Sequence, residues 1–300
     1  MRDKVLQCAA VAGASLALAL SLAGCASDAG QSVDESVDTG ELGSVSVVAR
    51  EEGSGTRSEF SETVGLIETD EDGTEVDVTT ADATICNEAS AVIEAVAADE
   101  NAIGYVSLGA LSEASGVKAI AVEGVDASTE TVQDGSYALS RNFYIAYTGQ
   151  STEVEADFLD YITSVGQDIV TAEGYVAVSS SGRFLSDQSE GYITISGSTS
   201  VAPLMEALVE GYADENANAS ISVIATDSTT GLNAAMSQES DWGMSSRDLA
   251  TYESELLETT VIARDAVAVI VNENSPVESL SLEQLRLLFS GEAAEWSDLN

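Results

Sequence analysis

The chain has 300 residues, 44% of them hydrophobic, enough to bury the core of one large or two modest globular units, so disorder of the whole chain is excluded. Its 52 acidic residues against 10 basic ones leave a formal net charge of −42, which argues against nucleic acid as a partner because phosphate-backbone binding needs clustered Lys and Arg. Histidine is absent, which removes Ser-His and Cys-His catalytic pairs and every His-containing metal site; neither enzyme chemistry, nor a cofactor, nor a metal is expected.

In chain order, residues 1–25 come first. Arg2 and Lys4 precede "AAVAGASLALALSLAG", an apolar run too short and Ala-rich for a comfortable transmembrane helix, so the segment reads as an export signal. It ends in "LAGC", which resembles the lipobox of bacterial lipoproteins. That resemblance implies a lipid on Cys25 and a protein held at the extracytoplasmic face of the cell membrane; an ordinary signal with an incidental cysteine is the alternative. Residues 26–43 read as a flexible tether. With Cys8 removed and Cys25 acylated, Cys86 stands alone and is expected to be a buried structural thiol, with no disulfide in the mature chain.

From residue 44 onward strand-like and helix-like segments alternate, which predicts an α/β architecture. "SVSVVA" reads as a strand and "SAVIEAVAADEN" as a helix; "AIGYVSL", "VKAIAVE" and "RNFYIAY" follow as strands. "EADFLDYITSVGQDIVTAEGY" has the apolar spacing of one long amphipathic helix that Gly174 would stop. "SSSGRFLSDQSEG", residues 179–191, is the clearest linker. Beyond it, "YITISGSTSVAPLMEALVEGYADE" and "ASISVIATDSTTGLNAAM" each predict strand, turn and helix, then "VIARDAVAVIVN" a strand, and the text closes on "SLEQLRLLFSGEAAEWSDLN".

Three stretches share one design, an apolar strand, a turn of Ser, Thr and Gly, and a helix: "VVAREEGSGTRSEF", "ITISGSTSVAPLMEAL" and "VIATDSTTGLNAAM". A helix start leaves N–H groups unpaired and carries partial positive charge, so a hydroxyl-rich turn there can surround an oxyanion with donors. The alternative at each turn is a Ser or Thr that only caps its helix. Arg50 and Arg57 beside the first turn favour the anion. Neither G-x-x-x-x-G-K-[ST] nor G-x-G-x-x-G occurs, so nucleotide binding by those routes has no support.

These stretches, together with "DWGMSSRDL", "EQLRLLFSGEAAEWSDL", "AIGYVSL" and "GSYALSRNFYIAYTG", resemble the successive motifs of PstS-type phosphate-binding proteins, the receptors of bacterial phosphate ABC importers. The resemblance covers nearly all of residues 44–300 and implies a two-lobed, type II-like periplasmic-binding-protein fold, closing by hinge motion on inorganic phosphate and delivering it to ABC permease subunits. The motif order is rotated. The portion resembling the family's C-terminal half (44–180) comes first, a linker (181–191) follows, and the portion resembling its N-terminal half (192–300) comes last; joining Asn300 to Glu41 restores the usual order. A circular permutant is one reading, and thirteen extended linker residues would reach roughly 43 to 47 Å to make the join. A domain-swapped array or a truncated repeat gene is the other. A non-transport oxyanion sensor or surface interaction module is the functional alternative.

The resemblance implies lobes of about 44–125 with 265–300, and 130–262. Thr199, Ser200, Ser228 and Ser246 would offer donors from the second lobe, and Arg50, Ser54, Gly55 and Thr56 would close from the first, with Arg50 as charge partner. Arg57 and Arg247 are possible additional contacts, and Arg141 is expected to pin backbone between the lobes. Some family members carry an aspartate, the acceptor for the proton of hydrogen phosphate, where this chain has Ser246; Asp227, Asp248 or Glu51 would have to substitute. Trp242 and Trp296 are expected in the core.

Overall fold

The computed structural model describes residues 37–300 except 71, 113 and 150. The export signal, Cys25 and residues 26–36 of the expected tether therefore lie outside the described residues. Residues 37–43 lie against the body of the protein: Val37 and Leu42 pack on its first core, and Gly43 N–H donates to Asn101 Oδ1 at 2.7 Å.

The chain opens with β1 (Ser46–Arg50), α1 (Gly55–Val64), the short hairpin β2 (Ile67–Thr69) and β3 (Glu75–Asp77), β4 (Thr84–Cys86) and α2 (Ala89–Ala97). It continues through β5 (Ala102–Ser107), β6 (Val117–Ala119), β7 (Ala121–Val122), α3 (Thr129–Asp134), β8 (Ser140–Tyr147), α4 (Glu153–Thr163) and α5 (Gly166–Ala172). After the linker come β9 (Gly191–Ser198), α6 (Ala202–Glu215), β10 (Ala219–Thr226), α7 (Ser228–Met236), β11 (Trp242–Ser245), α8 (Thr251–Ser254), β12 (Glu258–Asn272), β13 (Ser279–Leu280) and α9 (Leu282–Ser290).

One sheet runs in the order β10-β9-β11-β8-β12-β5-β1-β4, with β6 also on β12. Its two ends are parallel trios, β10-β9-β11 and β5-β1-β4, and the antiparallel strands β8 and β12 stand between them. β12 is long enough to serve both halves: Glu258–Ala266 pairs with β8, Val267–Val271 with β5, and the register shifts between Val261 and Ala263. A strand continuous through both halves of the sheet fixes them to one backbone, the arrangement a two-lobed hinge needs.

Each half has its own core. In the first, Phe60 of α1 stacks on Tyr105 with ring centroids 4.1 Å apart, and Phe289 of α9 meets Phe60 edge-on at 4.6 Å. Burying a Phe contributes about 1.5–3 kcal/mol, and here it also seats α1, whose first residues face the cleft. In the second, Trp242 stacks on Phe158 at 5.5 Å. Trp296 is fully buried, its Nε1–H on Asn101 O at 3.0 Å, so both tryptophans are core residues. Val132, Tyr137 and Leu139 pack in the first core, so α3 goes with that half and the crossing comes at β8, not near residue 130.

Two elements differ from the sequence expectation. The long helix expected over 155–175 is α4 and α5, broken at Ser164, which leaves helical backbone at φ −117°, ψ −104°. The cause is the buried Gln167 amide, which donates to Ile162 O at 2.9 Å and Ile262 O at 3.0 Å, taking a carbonyl the helix would otherwise use. "VKAIAVE" divides between β6 on β12 and β7 on β13, because Ile120 turns into the first core between them. The linker is irregular as expected, yet pinned. Asp157 accepts from Ser186 Oγ at 2.7 Å, Asp187 N–H at 3.0 Å and Tyr212 Oη at 2.7 Å.

Candidate functional site

The carboxyl ends of parallel strands point at one cleft, where α/β folds place their ligands. β1 ends at Arg50, β9 at Ser198, β10 just before Asp227 and β11 at Ser245. The turns after the first three lead into α1, α6 and α7, so all three hydroxyl-rich turns meet there.

On the first wall Ser54 caps α1, its Oγ accepting from Arg57 N–H at 3.4 Å. The N–H groups of Gly55 and Thr56 have no acceptor among the described residues, which leaves two donors at the positive end of the helix. Gly55 is required by closeness: a Cβ there would overlap Ser228 Oγ and stand 2.6 Å from Ser246 Oγ on the opposite wall.

The Arg50 side chain is buried and held in one pose. Nε donates to Glu51 Oε2 at 2.9 Å and Cys86 O at 3.3 Å; Nη2 donates to Glu51 Oε1 at 2.9 Å, Asn87 O at 3.0 Å and Thr199 Oγ1 at 2.9 Å. Nη1 has no partner among the described residues. Its main-chain N–H reaches Tyr105 Oη at 3.2 Å, and burial pushes the Tyr105 hydroxyl up. Cys86 is a free, buried thiol as expected, raised by burial, with Arg50 working against that and Glu51 with it.

On the second wall Ser198 Oγ accepts from Ser200 N–H at 3.2 Å and donates to Ser246 Oγ at 2.9 Å. Ser246 N–H donates to Ser228 Oγ at 3.2 Å. Ser200 Oγ crosses to Thr56 Oγ1 at 2.8 Å, and Thr229 N–H crosses to Gly53 O at 3.2 Å. The eight residues expected from the sequence are thereby brought together: Arg50, Ser54, Gly55 and Thr56 against Thr199, Ser200, Ser228 and Ser246.

The two further arginines are engaged elsewhere. Arg57 Nε pairs with Asp77 Oδ2 at 2.8 Å and Nη1 supports Arg50 O at 3.0 Å. Arg247 pairs with Glu253 at 2.8 Å and also touches Thr229 Oγ1 at 3.2 Å. The three proposed substitute acceptors are also committed. Glu51 holds Arg50, Asp227 caps α7 through Thr230 N–H at 2.8 Å, and Asp248 accepts from Tyr144 Oη at 2.6 Å. Burial and then that carboxylate push the Tyr144 hydroxyl up to about 12.

Arg141 reaches backbone between the two halves, as expected, and it also holds two side chains. Its Nη2 pairs with Asp265 Oδ2 at 2.8 Å, while Nη1 donates to Thr56 Oγ1 at 2.8 Å and reaches Ser246 O at 3.4 Å. It therefore touches both walls. The available signal was a charge inside an apolar strand on each side, Arg141 in "RNFYIAY" and Asp265 in "VIARDAVAVIVN". No group of metal-ligating side chains occurs among the described residues, and no helix there is long and apolar enough to cross a membrane.

A family model described as a PBP superfamily domain matches residues 28–165 and 185–300. The chain is 38% identical over 282 residues to the phosphate-binding protein PstS 2 of Streptococcus agalactiae serotype V, covering 93% of each chain. It is 37% identical over 259 residues to PstS 2 of Streptococcus pneumoniae serotype 4, covering 86% of this chain and 88% of that one. A crystal structure of a phosphate ABC transporter, phosphate-binding protein, from Streptococcus pneumoniae superposes with a TM-score of 0.72 at 36% identity, covering 86% of this chain and all of that one. With likeness of this extent in both sequence and fold, the chain belongs to the PBP superfamily and, within it, to the PstS phosphate-binding proteins.

Proposed function

We propose that this protein binds inorganic phosphate between its two halves and hands it to the permease of an ABC importer. The observation that carries this reading is the Arg50 side chain, buried, locked by Glu51, Cys86 O and Asn87 O, and donating to the Thr199 hydroxyl of the opposite wall. Micromolar affinity needs about 8 kcal/mol. Charge-assisted hydrogen bonds contribute about 1.5–3 kcal/mol each, so a handful suffices after desolvation and closure costs. Calorimetry tests the reading: the mature chain should bind phosphate and Arg50→Ala should not. Absence of binding by the unaltered protein would refute it.

The lipid anchor on Cys25 belongs to the same proposal, supported by "LAGC" after an export signal. Labelled fatty acid should enter the wild-type protein in a bacterial host and not Cys25→Ala.

The rotated segment order is proposed to be a circular permutation closed within one chain. Two features support it. Ser44 pairs with Glu295 and Val45 N–H donates to Ala294 O at 2.9 Å, so the places the rotation would have cut lie side by side. The linker runs within one half, pinned by Asp157. Alignment over 93% of both chains is what a segment order shared with the streptococcal relative would yield. A ligand-binding monomer by size-exclusion mass measurement is expected; an obligatory dimer would favour the swapped array.

A further inference from the structure

Resting on the phosphate reading, we propose that Thr229 and Arg247 form a latch between the two halves that sets how long the closed cleft lasts, without either side chain touching the anion. The latch closes on the Gly53 carbonyl of the first half. Gly53 O accepts from Thr229 N–H at 3.2 Å and from Thr229 Oγ1 at 3.3 Å, both on the second half. Donors and acceptor all belong to the protein, so these bonds form and break with the movement of the halves.

The head of α7 accounts for the first bond. Thr229 is the second residue of that helix, so its N–H has no carbonyl within the helix to reach. Gly53 O fills that place from across the cleft, at the positive end of the helix, where a carbonyl oxygen is favoured. The turn comes this near only as glycine. Gly53 stands at φ +85°, and a Cβ on it would lie 2.6 Å from Asp227 Oδ1. Asp227 is not free to swing aside, because it caps α7 through Thr230 N–H at 2.8 Å and holds the Thr230 hydroxyl as well.

Arg247 aims the second bond. Its Nη2 donates to Thr229 Oγ1 at 3.2 Å, and an arginine can only donate, so the Thr229 proton is turned away from it and toward Gly53 O. The guanidinium is held in turn by Glu253, with Nη1 on Oε2 at 2.8 Å and Nη2 on Oε1 at 2.9 Å, and by Asp248 O at 2.8 Å. Glu253 is fully buried and also takes Ala250 N–H at 2.7 Å. The series from Glu253 through Arg247 to Thr229 therefore ends on the first half. Thr229 makes the contact, and Arg247 is a positioning residue that acts through it. Because these bonds exist only once the halves meet, losing them speeds release and leaves capture alone.

The test compares the mature wild-type chain with Thr229→Val and Thr229→Ser, using calorimetry for phosphate affinity and phosphorus NMR line widths for its release rate. Thr229→Val is expected to release phosphate about 3- to 10-fold faster, the scale of one hydrogen bond, with the capture rate and the phosphate-free thermal midpoint unchanged. Thr229→Ser keeps the hydroxyl and should release as slowly as wild type. Arg247→Ala should speed release by itself and add little in the Thr229→Val background, as a residue acting through Thr229 must. That variant leaves Glu253 buried without its partner, so if it fails to fold the two Thr229 variants decide alone. Equal release from Thr229→Val and wild type would overturn the latch while leaving the phosphate function standing. An Arg247→Ala effect that persists in full in the Thr229→Val background would overturn the positioning role. Absence of phosphate binding by wild type would overturn the underlying function, and the latch with it.

Discussion

Arg141 and Asp265 face each other in register across β8 and β12, their side chains sealed from solvent, at the point where β12 leaves one half of the sheet for the other. The pair joins the hinge strands to the cleft, because the same guanidinium holds Thr56 Oγ1. Breaking a buried pair by removing one partner typically costs about 3–5 kcal/mol. Asp265→Ala should lower stability on that scale in urea unfolding. A double replacement of Arg141 and Asp265 by apolar residues should recover much of the stability and not the anion binding. Equal stability of Asp265→Ala and wild type would show that the pair is not coupled to folding.

Gly55 is where the two walls come closest. Gly55→Ala places a methyl group against Ser228 and Ser246 Oγ, which closure cannot accommodate. Phosphate affinity should fall at least about tenfold, with little change in the thermal midpoint, because α1 keeps its cap and Phe60 stays in its core. Unchanged affinity by calorimetry would mean that the walls do not meet in the bound state.

The linker offers a protease readout. Arg183 is exposed in the segment that Asp157 pins through Ser186 and Asp187. Asp157→Asn weakens that anchor, so trypsin should cut after Arg183 faster than in wild type. The nicked pieces should stay associated on size exclusion, since β8, from the first piece, lies between β11 and β12 from the second. Separation of the pieces under native conditions would count against intramolecular closure.

Acid should destabilise the fold through particular carboxylates. Burial raises Asp77 and Glu253, yet each ends below its ordinary value because Arg57 and Thr79 bind the first and Arg247 and Ala250 N–H the second. Groups depressed on folding contribute stability above their unfolded pKa of about 4 and lose it as pH falls through the folded values. Glu59 and Glu62 run the other way: burial raises them, so their contribution is complete below the unfolded value and lost as pH rises through the raised ones. Calorimetric scans from about pH 3 to 8 should show a midpoint that drops below about pH 4. Asp77→Asn should flatten that drop, and Glu59→Gln should raise the midpoint near neutrality. The opposite signs would refute these assignments.

The strand, turn and helix units were legible because their signals are local. A Ser or Asp just before a helix, as at Ser54 or Asp227, is a cap whatever surrounds it, and a capped helix head is suited to face an anion. The break at Ser164 was not legible, since Gln167 reaches Ile262, 95 residues away. The side-chain partners of Arg141, Thr56 and Asp265, were not legible for the same reason, being scattered along the chain, although its backbone contact at Ser246 O was expected.

By itself, then, the sequence determined the α/β class, the residues that line the cleft and the family the chain resembles, all carried by short stretches whose chemistry is complete within a dozen residues. Tertiary structure decided where each paired arginine reaches. Arg50, Arg57, Arg141 and Arg247 all have a carboxylate partner, in Glu51, Asp77, Asp265 and Glu253, but Arg50 also holds Thr199 Oγ1 of the opposite wall and Arg141 touches both walls through Thr56 Oγ1 and Ser246 O. Composition cannot show this, because the partners of a charge depend on distances across the fold, and Coulomb attraction changes steeply over a few ångströms.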